Sequence, residues 1–357
     1  VAAKIWGRLK QWLKQLEGRW TRLLRRKTKF RYPQIYAKSK GLIPYAKPAL
    51  TNAEFVRKLT TAGLSIQDQS LAEETLSNVN YFRLKIYFRP FLQPPNFKNF
   101  ILGSTIESVI DLYEFDRKLR MIVFDLIGQI ELLIRHRVDA RLTSYMGDPF
   151  WYLNENLYRD YPKRTIEMIR SSSFNSKEDF AKHFHEKYHN GRAGQFHLLP
   201  PFWIASELLT VGQVFYIING LEKSKFPPTG ANPAAGNELD ELSKDFDAFN
   251  IQNFSRWIEY TRNIRNVCAH HGRLWNRHLA EPPGIARRLA KEIRGKVAFK
   301  HRIYNHLVMM RVMLSARGCD DNIAQTMKSL FADHPEVEKM KAHMGFPDKW
   351  DQDPFWI

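Results

Sequence analysis

Cysteine is scarce in this chain. Two, Cys268 and Cys319, occur in 357 residues, too few for a disulfide-dense secreted scaffold or a Cys-rich zinc module, so a reducing cytoplasmic setting is expected. Long hydrophobic runs are missing as well. No apolar stretch approaches the eighteen residues that span a bilayer, and no apolar segment follows the basic N-terminus to make a signal peptide, so a soluble protein without stable membrane insertion is expected. The chain opens on Val1, which leaves room for an upstream segment or a removed methionine. Internal repeats are absent, which removes the solenoid architectures. Acid is in deficit: 37 Asp and Glu face 55 Lys and Arg, for a formal net charge of +18. The few carboxylates form no cluster of the kind that holds two catalytic metals, which argues against a two-metal nuclease; the expectation is of no metal and no other cofactor.

What is present points to a globular, basic, helical protein. At 44% hydrophobic the chain can bury a substantial core in one large domain or in two to three modest ones. The charge attracts polyanions, which means RNA, DNA or an acidic membrane surface, and charge alone does not choose among them. Eleven Lys or Arg between Lys4 and Arg31 face one acid, Glu17, so residues 1–34 read as a basic arm. Its apolar positions, Ile5, Leu9, Trp12, Leu13, Leu16, Trp20, Leu23 and Leu24, recur at three and four, as in an amphipathic helix. Three uses stay open for it: docking on the body or a partner, nucleic-acid contact, and interfacial membrane binding.

A helical region over 35–100 follows. Thr51 and Glu54 form a capping box that starts a helix through Leu59, and Leu64 to Leu76 reads as a second helix. Tyr81 to Pro90 alternates like a strand, but nothing comparable exists to pair with it, so a short helix is predicted. The core is expected over 101–320. Its elements are a long helix from Thr105 to Leu142, further helices over Pro200–Ile218, Phe249–Cys268 and Arg302–Leu314, and a loop insertion near 224–237. Residues 321–357 make a tail packing on that core. The fold class is all-α, a helical bundle with an N-terminal helical extension. Within the long helix, Glu131 and Arg135 stand four apart, as in an intrahelical pair. A buried Glu131 would need a partner, and an arginine from elsewhere is the other choice.

Two motifs carry chemistry. His185-Glu186-Lys-Tyr-His189 matches the pattern in which histidines at i and i+4 bind zinc and the glutamate is general base, the reading of a metalloprotease. Against it, His189-Asn-Gly191 ends the helix at once, and the third ligand is undefined among His183, His197 and Glu207. The bland reading is a surface helix end. The second motif is the stretch Arg262 to Arg277, which crowds four arginines, three amides and two adjacent histidines around a short apolar core. Its Arg-x-x-x-x-His spacing carries nothing alone, since it occurs three times, at Arg265/His270, Arg192/His197 and Arg273/His278. The setting of the first is distinctive: it closes a long apolar helix beside Asn266, His271, Arg273 and Asn276.

On an unbroken helix Arg265 and His270 lie about 140° apart in azimuth and about 7.5 Å apart along the axis. They meet one phosphate only if the helix ends near Ala269, if the arginine reaches around, or if a second copy of the chain completes the site. Asn263, Asn266 and His270 do share a face. Histidine titrates near neutrality and can take a proton from a ribose 2′-hydroxyl or return one to the leaving 5′-oxygen without a metal. A guanidinium offers paired donors to the charged phosphorane oxygens. Phosphate binding or packing of a charged loop is the plainer alternative.

These stretches together resemble the Abi family, bacterial abortive-infection proteins of the AbiD and AbiF type with a HEPN-like helical core. The resemblance rests on Leu112-Tyr-Glu-Phe-Asp-Arg-Lys-Leu-Arg120, Ile130-Glu-Leu-Leu-Ile-Arg135, Pro201-Phe-Trp-Ile-Ala-Ser-Glu207 and above all Ile264 to Arg277. Lys47 to Leu50, Asn80 to Leu84 and Met344 to Pro347 fit its flanks, so it covers roughly residues 45 to 350. It implies that Arg265 and His270 are the catalytic pair of a metal-independent endoribonuclease, assembled in the cleft of a homodimer and leaving a 2′,3′-cyclic phosphate. Asn266 would position the site. His271, Arg273, Asn276 and Arg262 would support it or contact RNA, with Glu131, Arg135 and Arg120 adjacent. It implies a phage-defence toxin, restrained in some systems by a small noncoding RNA. A noncatalytic RNA-binding or scaffold protein is the alternative.

Overall fold

In the computed structural model, residues 48–189, 198–228, 236–297, 299–316, 318 and 322–357 are described. The basic arm and its three readings therefore lie outside the described residues. The chain divides into two compact units, Val1–Glu54 and Phe55–Ile357. At the end of the first, the Thr51 amide donates to Glu54 Oε2 (2.7 Å) and the Glu54 amide to Thr51 Oγ1 (3.3 Å), the predicted capping box.

Helix α1 spans Asn52–Thr61, α2 Gln69–Asn78 and α3 Tyr81–Leu84, which runs into a 3₁₀ segment at Lys85–Phe91. The strand-like aromatic stretch is thus a short helix, as predicted. The second predicted helix starts late, at Gln69. Ser65 instead pairs with the segment before the long helix: its amide donates to the Ser104 carbonyl and its carbonyl accepts from Ile106 N. Asp68 then caps α2 through Leu71 N.

Helix α4, Ile106–Met146, runs 41 residues, about 60 Å at 1.5 Å per residue. Thr105 caps its start through Ser108 N, and Gly147 ends it at φ +62°, a left-handed conformation that glycine adopts without a Cβ clash. Val109, Leu112, Leu119, Val123, Ile130, Ile134, Val138 and Leu142 along one stripe are fully buried, each contributing about 1.5–3 kcal/mol of apolar burial.

The remaining helices are α5 (Lys163–Asn175), α6 (Asp179–Lys187), α7 (Phe202–Glu207), α8 (Val211–Gly220), α9 (Glu238–Lys244), α10 (Ile251–Ala269), α11 (Lys291–Arg294), α12 (Ile303–Ser315), α13 (Ile323–Asp333) and α14 (Pro335–Glu338). The helix predicted over Pro200–Ile218 is therefore two. Gln213 Oε1 accepts from the Thr210 amide and hydroxyl, a capping box that starts α8 inside the apolar run.

Helix α4 is the axis, with α7, α8, α10 and α12 against it, and α8 packs along α10. Arg141 forks onto Asp245 (3.0 Å for both contacts) and reaches Glu238 (2.8 Å), tying α9 to the far end of α4. The described residues contain no β-strand, only isolated bridges, so the architecture is an all-α bundle. None of the described helices is long and apolar enough to cross a membrane.

Candidate functional site

Helix α10 is capped by Asn250, whose side chain accepts from Asn253 N, and ends at Ala269, the end that the Arg265 and His270 spacing calls for. Three hydrogen bonds close it. The His270 amide donates to Asn266 O (3.0 Å), the His271 amide to Cys268 O (3.0 Å) and the Gly272 amide to Val267 O (2.8 Å). The last two form the 5→2 and 6→1 pattern of a Schellman termination, whose left-handed position usually falls to glycine. Here it falls to His271, at φ +53°, at a cost of about 1–3 kcal/mol that the surroundings must offset. Glycine comes one residue later, where a Cβ on Gly272 would sit 3.2 Å from the Val267 carbonyl oxygen.

Asp116 supplies much of that offset. This fully buried α4 carboxylate accepts from the amides of Leu274 (3.1 Å) and Trp275 (2.5 Å) in the loop after α10, from the Tyr87 hydroxyl (2.6 Å), and from Arg120 one turn along its own helix. Burial raises the Asp116 pKa, against the downward pull of Arg120, Tyr87 and the two amides. One side chain thus joins α4, the 3₁₀ segment and the loop. Arg83 of α3 adds a second tie, donating from Nη1 to the His271 carbonyl at 2.6 Å. Asp116 and Arg83 had no site role in the sequence reading. A lone aspartate among Leu112, Phe115 and Leu119 was the available signal, since a carboxylate on a buried stripe needs partners.

With the backbone pinned, His270, His271, Asn266 and Asn263 stand exposed. Neither histidine ring makes a hydrogen bond among the described residues. Arg265, partly exposed, turns toward α4: its Nε lies 3.8 Å from Glu131 Oε1, and its guanidinium stands 6.0 Å from the Phe124 ring. That separation is an ion pair and not a hydrogen bond, and Glu131 Oε1 is buried without a hydrogen-bond partner. Burial raises the Glu131 pKa, while Arg265 and Arg135 draw it back. Arg135 itself pairs with Glu207 (Oε2, 3.6 Å) and donates to the Leu209 carbonyl (2.8 Å). It holds the elbow between α7 and α8, and closes no intrahelical ion pair with Glu131.

Other predicted residues divide between support and separate surfaces. Arg262 donates to the Tyr216 hydroxyl (3.2 Å) beside Gly212, where a Cβ would fall 2.8 Å from Arg262 Cδ. Arg120 is buried beneath the loop. Asn276, also left-handed at φ +47°, accepts from Arg302 Nε through its amide oxygen (2.9 Å) and so stiffens the loop's far end. Arg273 leaves on the opposite side, toward a cleft beside α3. Burial pushes the Cys268 thiol up to about 12, so it is no nucleophile near neutral pH.

The zinc-like motif has another structure. His185 Nε2 lies 2.7 Å from the Ser173 carbonyl, and the ring packs against Phe174 and Phe184. Among the described residues, no three His, Cys, Asp or Glu side chains are grouped to hold a metal.

No curated protein and no solved structure matches the chain. A family model described as Abi-like protein matches residues 74–276. That span runs from α2 through Asp116, Glu131 and Arg265 to Asn276, and so takes in the helix end and its supports. The chain belongs to the Abi-like protein family.

Proposed function

We propose that this protein is a metal-independent endoribonuclease with a HEPN-like core, acting in the cytoplasm as an abortive-infection toxin. Family membership supports the role in phage defence. The observation that carries the chemistry is the end of α10, where His270 and Arg265 have uncommitted side-chain donors on a backbone held by Asp116 and Arg83. His270 takes the proton from a ribose 2′-hydroxyl as that oxygen attacks phosphorus, or protonates the departing 5′-oxygen. The products are a 2′,3′-cyclic phosphate and a 5′-hydroxyl. Arg265 steadies the charge on the phosphorane oxygens, leaving its long ion pair with Glu131 to do so. Asn266, on the His270 face, positions the phosphate.

The working unit is a homodimer. Within one copy Arg265 is drawn to Glu131 of α4 while His270 stands exposed just past the end of α10, so each would meet the other's counterpart across a two-fold axis. The exposed side of α4 next to Arg265 suits such an interface: Met121 is 61% exposed, Phe124 44% and Leu132 59%, a quantity of apolar surface consistent with a partner. The +18 charge suits an RNA substrate and equally a small noncoding RNA that restrains the toxin.

Purified protein should cleave single-stranded RNA in the presence of chelator, and Arg265→Ala and His270→Ala should each abolish cleavage while the circular-dichroism spectrum and melting curve stay as in wild type. Cleavage retained in both variants would overturn the assignment. RNA bound but never cleaved by wild type would leave a noncatalytic RNA-binding protein.

A further inference from the structure

Arg273 leaves the site loop for a cleft of about 660 Å³ lined by α1, α3 and the following 3₁₀ segment. Five cations line it: Lys58, Lys85, Arg89, Lys98 and Arg273. No Asp or Glu is among its lining residues, and none of the five forms an ion pair among the described residues. The floor and rim are aromatic. Phe82 at the rim is 61% exposed, Phe88 and Phe100 are buried edge to face at 5.6 Å, and the Arg89 guanidinium lies 3.3 Å above the Phe97 ring. Arg273 Nε is buried with no hydrogen-bond partner.

Five like charges around one concavity repel one another unless an anion joins them. An exposed ring beside them offers a flat apolar face. We infer that this cleft binds a nucleotide, its base stacked on Phe82 and its phosphate held by Arg273 with the lysines Lys85 and Lys98. Stacking is tolerant of base identity, and the phosphate supplies the charge. The cleft is tied to the helix end twice, through Arg273 itself and through Arg83, which stands beside Phe82 and holds the His271 carbonyl. A ribonucleotide in it would therefore lie one short loop away from His270. Binding does not require cleavage, so the site stands or falls apart from the proposed reaction.

The test uses full-length His270→Ala protein, to keep RNA intact, and calorimetric titration with adenosine 5′-monophosphate, adenosine, inorganic phosphate, an acidic phosphopeptide and a short single-stranded oligoribonucleotide. The monophosphate is expected to bind at one site per chain, with adenosine and phosphate each roughly tenfold or more weaker. Phe82→Ala, at an exposed position, should weaken it roughly 5- to 150-fold, the range that loss of one stacking contact gives, and Lys98→Ala, also exposed, should weaken it several-fold through the lost phosphate contact. An oligonucleotide that binds more tightly than the monophosphate and is weakened by the same substitutions identifies the ligand as a strand. Equal affinity identifies a free nucleotide. No nucleotide or oligonucleotide binding, binding unchanged in both variants, or phosphate or phosphopeptide binding as tight as the monophosphate would each overturn the inference.

Discussion

Two helix ends in this protein carry paired histidines, and they are built in opposite ways. At the end of α6, His185 commits its Nε2 to the Ser173 carbonyl and its ring to Phe174 and Phe184. The side chain is spent on holding α5 to α6. At the end of α10 the backbone is what is held, by Asp116 and Arg83, and the rings of His270 and His271 are left to solvent. A motif that matches a catalytic pattern thus serves structure in one place, and a spacing that chance supplies three times acquires a chemical setting in the other. Chemistry needs side chains with unspent donors on backbone that cannot move.

The comparison breaks first if the wrong histidine matters. His270→Ala should lower RNA cleavage by about 10²- to 10⁴-fold, the range for losing a general acid or base, whereas His185→Ala should leave it unchanged; fluorescently labelled single-stranded RNA resolved on a denaturing gel reads both. Next in size is the pin itself. Asp116→Asn strips the countercharge from buried Arg120 and should cost about 3–5 kcal/mol in urea-unfolding stability, with cleavage lost where the variant is still folded.

Acid sharpens the contrast by separating folding from chemistry. His306 on α12 is fully buried, and desolvation lowers its pKa from 6.5 to about 4. The unfolded chain binds a proton below pH 6.5 that the folded chain refuses, so stability is complete above pH 6.5 and falls from there down to about pH 4. Each pH unit in that window removes about 1.4 kcal/mol, for a total of about 3 kcal/mol. His306→Gln should flatten that part of the unfolding profile, and an unchanged profile would contradict the assignment. The smallest effect is expected at Arg83. Arg83→Met should remove about 1 kcal/mol of stability yet reduce cleavage by more than the melting curve explains, because the His271 carbonyl loses its tether.

Much of this was legible in the sequence. The apolar periods along 105–142 and 249–268 suffice for the helices around the site, and the Thr51 and Glu54 box for the start of α1, because burial and capping are local rules. The break at Thr210 was also local, a capping box hidden inside an apolar run. The hub at Asp116 was not local. Its partners Tyr87, Leu274 and Trp275 are 29, 158 and 159 residues away, and only the fold brings them together. The same holds for Glu131, whose choice between Arg135 on its own helix and Arg265 on another depends on how α10 crosses α4. The nucleotide cleft gathers cations from separate segments, none of which is notable alone.

The central claim, that Arg265 of one copy works with His270 of another, is tested most directly by mixing two inactive proteins. Arg265→Ala and His270→Ala chains, each without cleavage alone, are combined, allowed to exchange subunits and assayed on the same RNA in chelator. A heterodimer holds one intact trans pair. Statistical exchange puts half the population in that form, so the mixture should recover roughly a quarter of wild-type cleavage. A mixture as inactive as its components, with exchange verified by mass-tagged subunits, would contradict the composite site.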